Sequence, residues 1–78
     1  MRITGEQMGA ARGLLRWTQQ DLADASGISS FTVKRLEAMR GTVSAHSDTI
    51  NNIVDAFNKA GIKFIESDNG GPGVRLKK

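Results

Sequence analysis

TQQDLADASGISSFTVKRLE, residues 18–37, is the stretch from which the fold of this chain is read. Thr18 has the short hydroxyl side chain of a helix N-cap. Asp21, three residues on, puts a carboxylate in the first turn, where the helix dipole favours it. Leu22 and Ala23 supply an inner apolar face, and Gly27 stops the helix as a left-handed residue just past a C-terminus does. Ser29 then caps a second helix, with Val33 and Leu36 as its apolar positions and Gly41 as its expected end. The prediction is two short helices joined by a tight glycine turn. Such a pair can brace itself at a steep angle and leave the outer side of the second helix free.

Helical phase says what that outer side carries. At about 100° per residue, Phe31 lies roughly 160° from Val33, so it points away from the core. Lys34, Arg35 and Ala38 share its side. A phenylalanine flanked by a lysine and an arginine on an outward face is not a core pattern. The DNA major groove admits one α-helix, and a face of this kind suits thymine methyl groups, guanine edges and phosphates. The other reading at this point is a partly buried Phe31 with solvated neighbours.

On the N-terminal side, Thr4 and Gln7 make a capping-box pattern for a helix running to about Arg16, with Met8, Ala11 and Leu15 along one face. Gly5, Gly9 and Gly13 lie four apart on another face, each costing roughly 1 kcal/mol of helix propensity relative to Ala. Close approach of a neighbour or a phosphate would account for them, and so would a tolerated weakness. Trp17, just before the Thr18 cap, fits a hydrophobic staple better than a base-stacking role. On the C-terminal side, residues 42–47 read as a polar loop and Ser47 or Asp48 as the cap of a fourth helix. Ile50, Ile53, Val54 and Phe57 form its apolar stripe, and Gly61 closes it. The period then changes to two. Ile62–Glu66 and Val74–Lys77 alternate around DNGGPG, which predicts a β-hairpin. Two strands alone are marginal in water, so the hairpin must pack on the helices or pair with another chain. The expected organisation is therefore a helical domain over residues 1–61 with a hairpin extension over 62–78.

Composition narrows the function classes. The chain has 78 residues, net charge +3 and no cysteine, with an isoelectric point near 9.8. A chain this short buries only roughly 60% of its unfolded surface and needs nearly all its apolar side chains for the core, so no ligand cavity is expected. Disulfides and thiolate metal sites are excluded. No apolar run approaches the roughly 20 residues of a membrane span, no signal peptide is expected, and a cytoplasmic location fits. The positive charge has the sign that attracts phosphates.

The pattern Thr18, Gln19, Leu22, Ala23, Ala25, Ser26, Gly27, Ile28 and Ser29, followed by Val33, Arg35, Leu36 and Glu37, resembles the Cro/Xre, lambda-repressor-like helix-turn-helix family. The resemblance spans about residues 7–60, and the tail AGIKFIESDNGGPGVRLKK looks like an extension of small bacterial and prophage members. It implies a mainly α, compact bundle of four or five helices with a short C-terminal hairpin, and operator binding as a dimer through a recognition helix over 29–39. By position, it implies base contacts from Ser30, Phe31 and Arg35. Backbone contacts would come from Gln19, Ser29, Thr32, Lys34, Arg40, Thr42 and Ser44. Arg12 and Glu37 fall where the family often has a structural ion pair. Many relatives carry polar amides where this chain has Ser30 and Phe31, so the base-reading pattern is its own.

The leading expectation is a sequence-specific double-stranded-DNA-binding regulator, a repressor working as a homodimer on a palindromic site, with Val74 and Leu76 as dimer-interface candidates. The alternative is an antitoxin-like or other protein-binding module that also regulates its own operon, the tail binding a protein partner. An enzyme is not expected. His46 stands alone in a loop with Asp48 as its nearest acid, and no metal-ligand set assembles around it. The Asn69–Gly73 run lacks the Lys and Ser/Thr of a phosphate loop and reads as a turn, and Lys77 and Lys78 as a solubilising end. No cofactor and no small-molecule ligand are expected.

Overall fold

The computed structural model describes residues 2–66 and 70–77. The expected hairpin-turn residues Asp68 and Asn69, and the closing Lys78, lie outside the described residues. Among the described residues, four helices are followed by two strands: α1 (Gly5–Leu15), α2 (Gln19–Ser26), α3 (Ser30–Glu37), α4 (Ser47–Lys59), β1 (Ile62–Ile65) and β2 (Gly73–Leu76). The fold is mainly α with one antiparallel hairpin.

Local chemistry explains most of the helix boundaries. The Thr4 N–H donates to Gln7 Oε1 at 2.8 Å and the Gln7 N–H to Thr4 Oγ1 at 3.0 Å, closing the capping box of α1. Thr18 and Asp21 make the same reciprocal pair for α2, at 2.8 and 3.0 Å. Gly27 ends α2 at φ 74°, left-handed backbone that costs a side chain about 1 kcal/mol or more. Arg16 accepts that cost at the end of α1, at φ 58°, and so turns Trp17 back over the core.

Two expected boundaries are corrected. The third helix stops at Glu37, with Ala38 as its C-cap, and reaches neither residue 39 nor Gly41. The backbone beyond it is claimed by the N-terminal segment instead. The Gly5 N–H donates to Gly41 O at 3.2 Å, the Val43 N–H to Ile3 O at 2.9 Å, and Thr4 bridges Thr42 in antiparallel fashion. Residues 42–47 are thus more than a polar loop, since Val43 enters the core together with Ile3. In α4 the N-cap position belongs to His46, which makes no side-chain capping bond, and Ser47 is already helical.

The core is one cluster. Met8 and Ala11 of α1, Leu22 of α2, Val33 and Leu36 of α3, and Ile53 and Phe57 of α4 are fully buried in it. Phe57 is its aromatic hub, stacked on Trp17 at 5.8 Å and edge-on to Phe64 of β1 at 5.6 Å. Trp17, read as a staple at the start of α2, also packs on α4 through this contact. The hairpin pairs Ile62 with Leu76, Lys63 with Arg75, Phe64 with Val74 and Ile65 with Gly73. It docks through β1 on α4 and β2 on α1. A polar side chain of α1 ties it there. The buried Gln7 amide donates to Ile65 O at 3.0 Å and Gly73 O at 2.9 Å while its oxygen caps α1.

The glycines of α1 divide. A Cβ on Gly5 would collide with the carbonyl oxygens of Met39 and, at 2.7 Å, Glu37, so that glycine lets the end of α3 cross α1. Gly9 faces the Glu37 carboxylate at ordinary contact distance, and Gly13 faces open space.

Candidate nucleic-acid interface

The α2–turn–α3 unit is held from inside and from its turn. Leu22, Ala23, Val33 and Leu36 meet in the core. The Ser26 hydroxyl donates to Leu22 O at 2.7 Å and accepts from the Ile28 N–H at 3.3 Å, pinning the chain on both sides of Gly27. With the inner face committed, the outer face of α3 is left to solvent. Phe31 is 74% exposed, whereas Val33 and Leu36 two and five residues on are fully buried. Lys34, Arg35 and Ala38 are exposed on the same side.

The charge of that face is set by what happens to Glu37, the acid of α3. It turns inward to Arg12 of α1, whose Nε and Nη2 donate to the two carboxylate oxygens at 2.8 and 2.5 Å. Arg12 Nη1 donates to Trp17 O at 2.8 Å. The hydrogen bond to Glu37 raises the Arg12 pKa above its ordinary value; burial opposes this and the carboxylate's charge reinforces it. Both charges are consumed in locking the C-terminal end of α3 to α1. Lys34 and Arg35 therefore stand exposed with the one acid of α3 turned away from them.

The remaining predicted contact residues lie on the first turns of α2 and α3 and in the segment that follows α3. Ser29 is exposed at the N-cap of α3, accepting from the Thr32 N–H at 3.2 Å and donating to Thr32 Oγ1 at 3.0 Å, which leaves the Thr32 hydroxyl hydrogen to donate elsewhere. Ser30 and Thr32 are half-buried on the first turn of α3, and Gln19 is half-buried on the first turn of α2. Arg40, Thr42 and Ser44 are exposed after α3. The Ser44 N–H donates to the Met39 sulfur at 3.4 Å, and Thr42 is fixed by its bridge to Thr4. Val74 and Leu76 lie on β2, away from these residues in sequence, half-buried and packed against the chain's own core.

Sequence reasoning read Gln7 only as a capping residue. Its second role, as the clamp on two hairpin carbonyls, could have been sought because an amide has two donors left after capping. An open groove of about 650 Å³ lies beside it, lined by Arg2, Thr4, Gln7, Gly41, Thr42, Glu66 and Pro72. His46 is exposed, and among the described residues no three His, Asp or Glu side chains gather as a metal site. Among the same residues, no helix is long and apolar enough to cross a membrane. No protein-family model matches the chain, and no curated protein matches it.

Proposed function

We propose that the chain is a sequence-specific double-stranded-DNA-binding transcriptional regulator of the Cro/Xre, lambda-repressor-like kind, a repressor that binds a palindromic operator as a homodimer. The observation that carries this reading is the outer face of α3. A large apolar ring stands 74% exposed between a lysine and an arginine, on a helix whose other side is fully buried. Leaving a phenylalanine in water forfeits roughly 1.5–3 kcal/mol of burial, which a partner surface would recover. The one acid of α3 is withdrawn, so that partner is anionic. In this reading Ser30, Phe31 and Arg35 face base edges, while Gln19, Ser29, Thr32, Lys34, Arg40, Thr42 and Ser44 hold the backbone on either side.

A domain of this size covers a single half-site, about 600–1,000 Å² of protein surface, so useful specificity calls for two copies. Two recognition helices then sit about 34 Å apart on an inverted repeat. The test is selection of sheared genomic fragments on the purified protein at about 0.15 M salt, where surface charge is screened beyond roughly 8 Å. Recovery of a short inverted repeat is expected, with the strongest enrichment upstream of the protein's own gene. Flat recovery across the genome would overturn the reading and leave only nonspecific charge.

A further inference from the structure

We infer that Phe31 is a methyl reader: it selects a pyrimidine carrying a C5 methyl group in each half-site, next to a guanine read by Arg35. The inference rests on the DNA-binding reading above and narrows it to one chemical group. Phe31 sits in the first turn of α3, the end of a recognition helix that reaches base edges. Its ring has no hydrogen-bonding atom, so it cannot distinguish bases by donors and acceptors. The apolar feature that a base presents in the major groove is the C5 methyl. Among the described residues the aromatic contacts join Trp17, Phe57 and Phe64, and Phe31 takes no part in them.

Geometry fixes the neighbour. Arg35 follows Phe31 by four residues, on the same side of the helix and about 6 Å along its axis. Base pairs are about 3.4 Å apart, so the two side chains address positions one or two steps apart. Arg35 is exposed, and its guanidinium matches the N7 and O6 of guanine. The half-site is therefore expected to hold a methylated pyrimidine and a guanine within two steps of each other.

Thymine and 5-methylcytosine both offer the methyl group. Selection is run on native genomic fragments and on their amplified copies, which carry no methylcytosine. A site recovered from both pools is read at thymine, and one recovered from the native pool alone at 5-methylcytosine. The methyl is then deleted from the selected site, uracil replacing thymine or cytosine replacing 5-methylcytosine, which leaves base pairing intact. One methylene-sized group is worth about four-fold in affinity, so both half-sites together lose about 15-fold. Phe31→Ala is expected to bind the two duplexes equally, and Phe31→Leu to keep part of the discrimination. The exposed position makes both variants compatible with the fold, which circular dichroism checks. If a site is recovered but demethylation weakens Phe31→Ala as much as the parent, or weakens neither, methyl reading is overturned while the operator reading stands. If no site is recovered from either pool, the operator reading fails and takes this inference with it.

Discussion

Glu37→Met isolates the lock between α3 and α1, because methionine keeps the length and helix propensity of glutamate and removes its charge. The substitution deletes two charge-assisted bonds, at 2.8 and 2.5 Å, and strands the Arg12 guanidinium with its bond to Trp17 O. Arg12 cannot escape by deprotonating. A guanidinium stays charged across the working pH range. In the parent the hydrogen bond to Glu37 raises the Arg12 pKa further, so while the carboxylate is ionised the stability Arg12 confers is lost only as pH rises into strong alkali. Breaking a fully buried pair costs about 3–5 kcal/mol and breaking an exposed one about 0–1 kcal/mol. Side-chain exposures of 20% and 14% place this pair between those limits, nearer the buried one. The expected loss is about 2–3 kcal/mol, or a fall in Tm of about 10–20 °C for a domain of this size. Urea and thermal unfolding followed by circular dichroism measure it, alongside Arg12→Met and the double variant. The double variant is expected to be more stable than either single one, since neither charge is then left alone. A loss below about 0.5 kcal/mol, or simple additivity across the cycle, would refute the reasoning and make the contact a screened surface pair.

Gly5→Ala and Gly13→Ala are expected to move stability in opposite directions: a loss of at least about 1–3 kcal/mol at Gly5, where backbone carbonyls must shift, and a gain of up to about 1 kcal/mol at Gly13. Denaturant midpoints decide both. Gln7→Leu is expected to cost about 2–3 kcal/mol through three lost bonds and to accelerate amide exchange in Ile62–Ile65 and Gly73–Leu76 ahead of the helices, read by NMR. On DNA, Arg35→Ala is expected to cost about 1–3 kcal/mol at one base pair of each half-site and to relax preference there. Lys34→Ala should weaken all sequences evenly and lower the salt slope by about one. Equal losses on specific and random duplexes for Arg35→Ala would reassign the reader. In the proposed homodimer, Val74→Asp is expected to yield monomers in sedimentation, read together with circular dichroism because Val74 also packs on the chain's own core, and a persisting dimer would put the interface elsewhere.

Residues that act on near neighbours in the chain were legible. Thr4 and Thr18 are capping residues because their partners stand three positions away, and Gly27 is a helix stop because its backbone must be left-handed. The exposure of Phe31 follows from phase alone once Val33 and Leu36 are placed inside. What escaped is what depends on distant partners. Nothing in Ile3 or Val43 alternates or repeats, yet one backbone bridge beside Thr4 and Thr42 buries both and shortens α3. His46 takes the cap position of α4 although a serine and an aspartate follow it, and it makes no side-chain capping bond. Within the candidate interface, the outward residues of α3 were legible from period. The withdrawal of Glu37 depended on Arg12 and was implied only by resemblance.

The two bonds from the Gln7 amide reach across 58 and 66 residues of chain. A helical bundle of this size ordinarily closes through local contacts and assembles fast. Here the two bonds of the clamp close long loops, whose entropy must be met before the hairpin contributes anything, so they are expected to close late. The helices can therefore gather around Phe57 while the strands still wander, with Gln7 capping α1 from the outset and acquiring its other two partners late. In kinetic terms the clamp is expected to form on the native side of the barrier. Removing it should speed unfolding far more than it slows folding, so the hairpin governs how long the folded molecule lasts rather than how soon it forms.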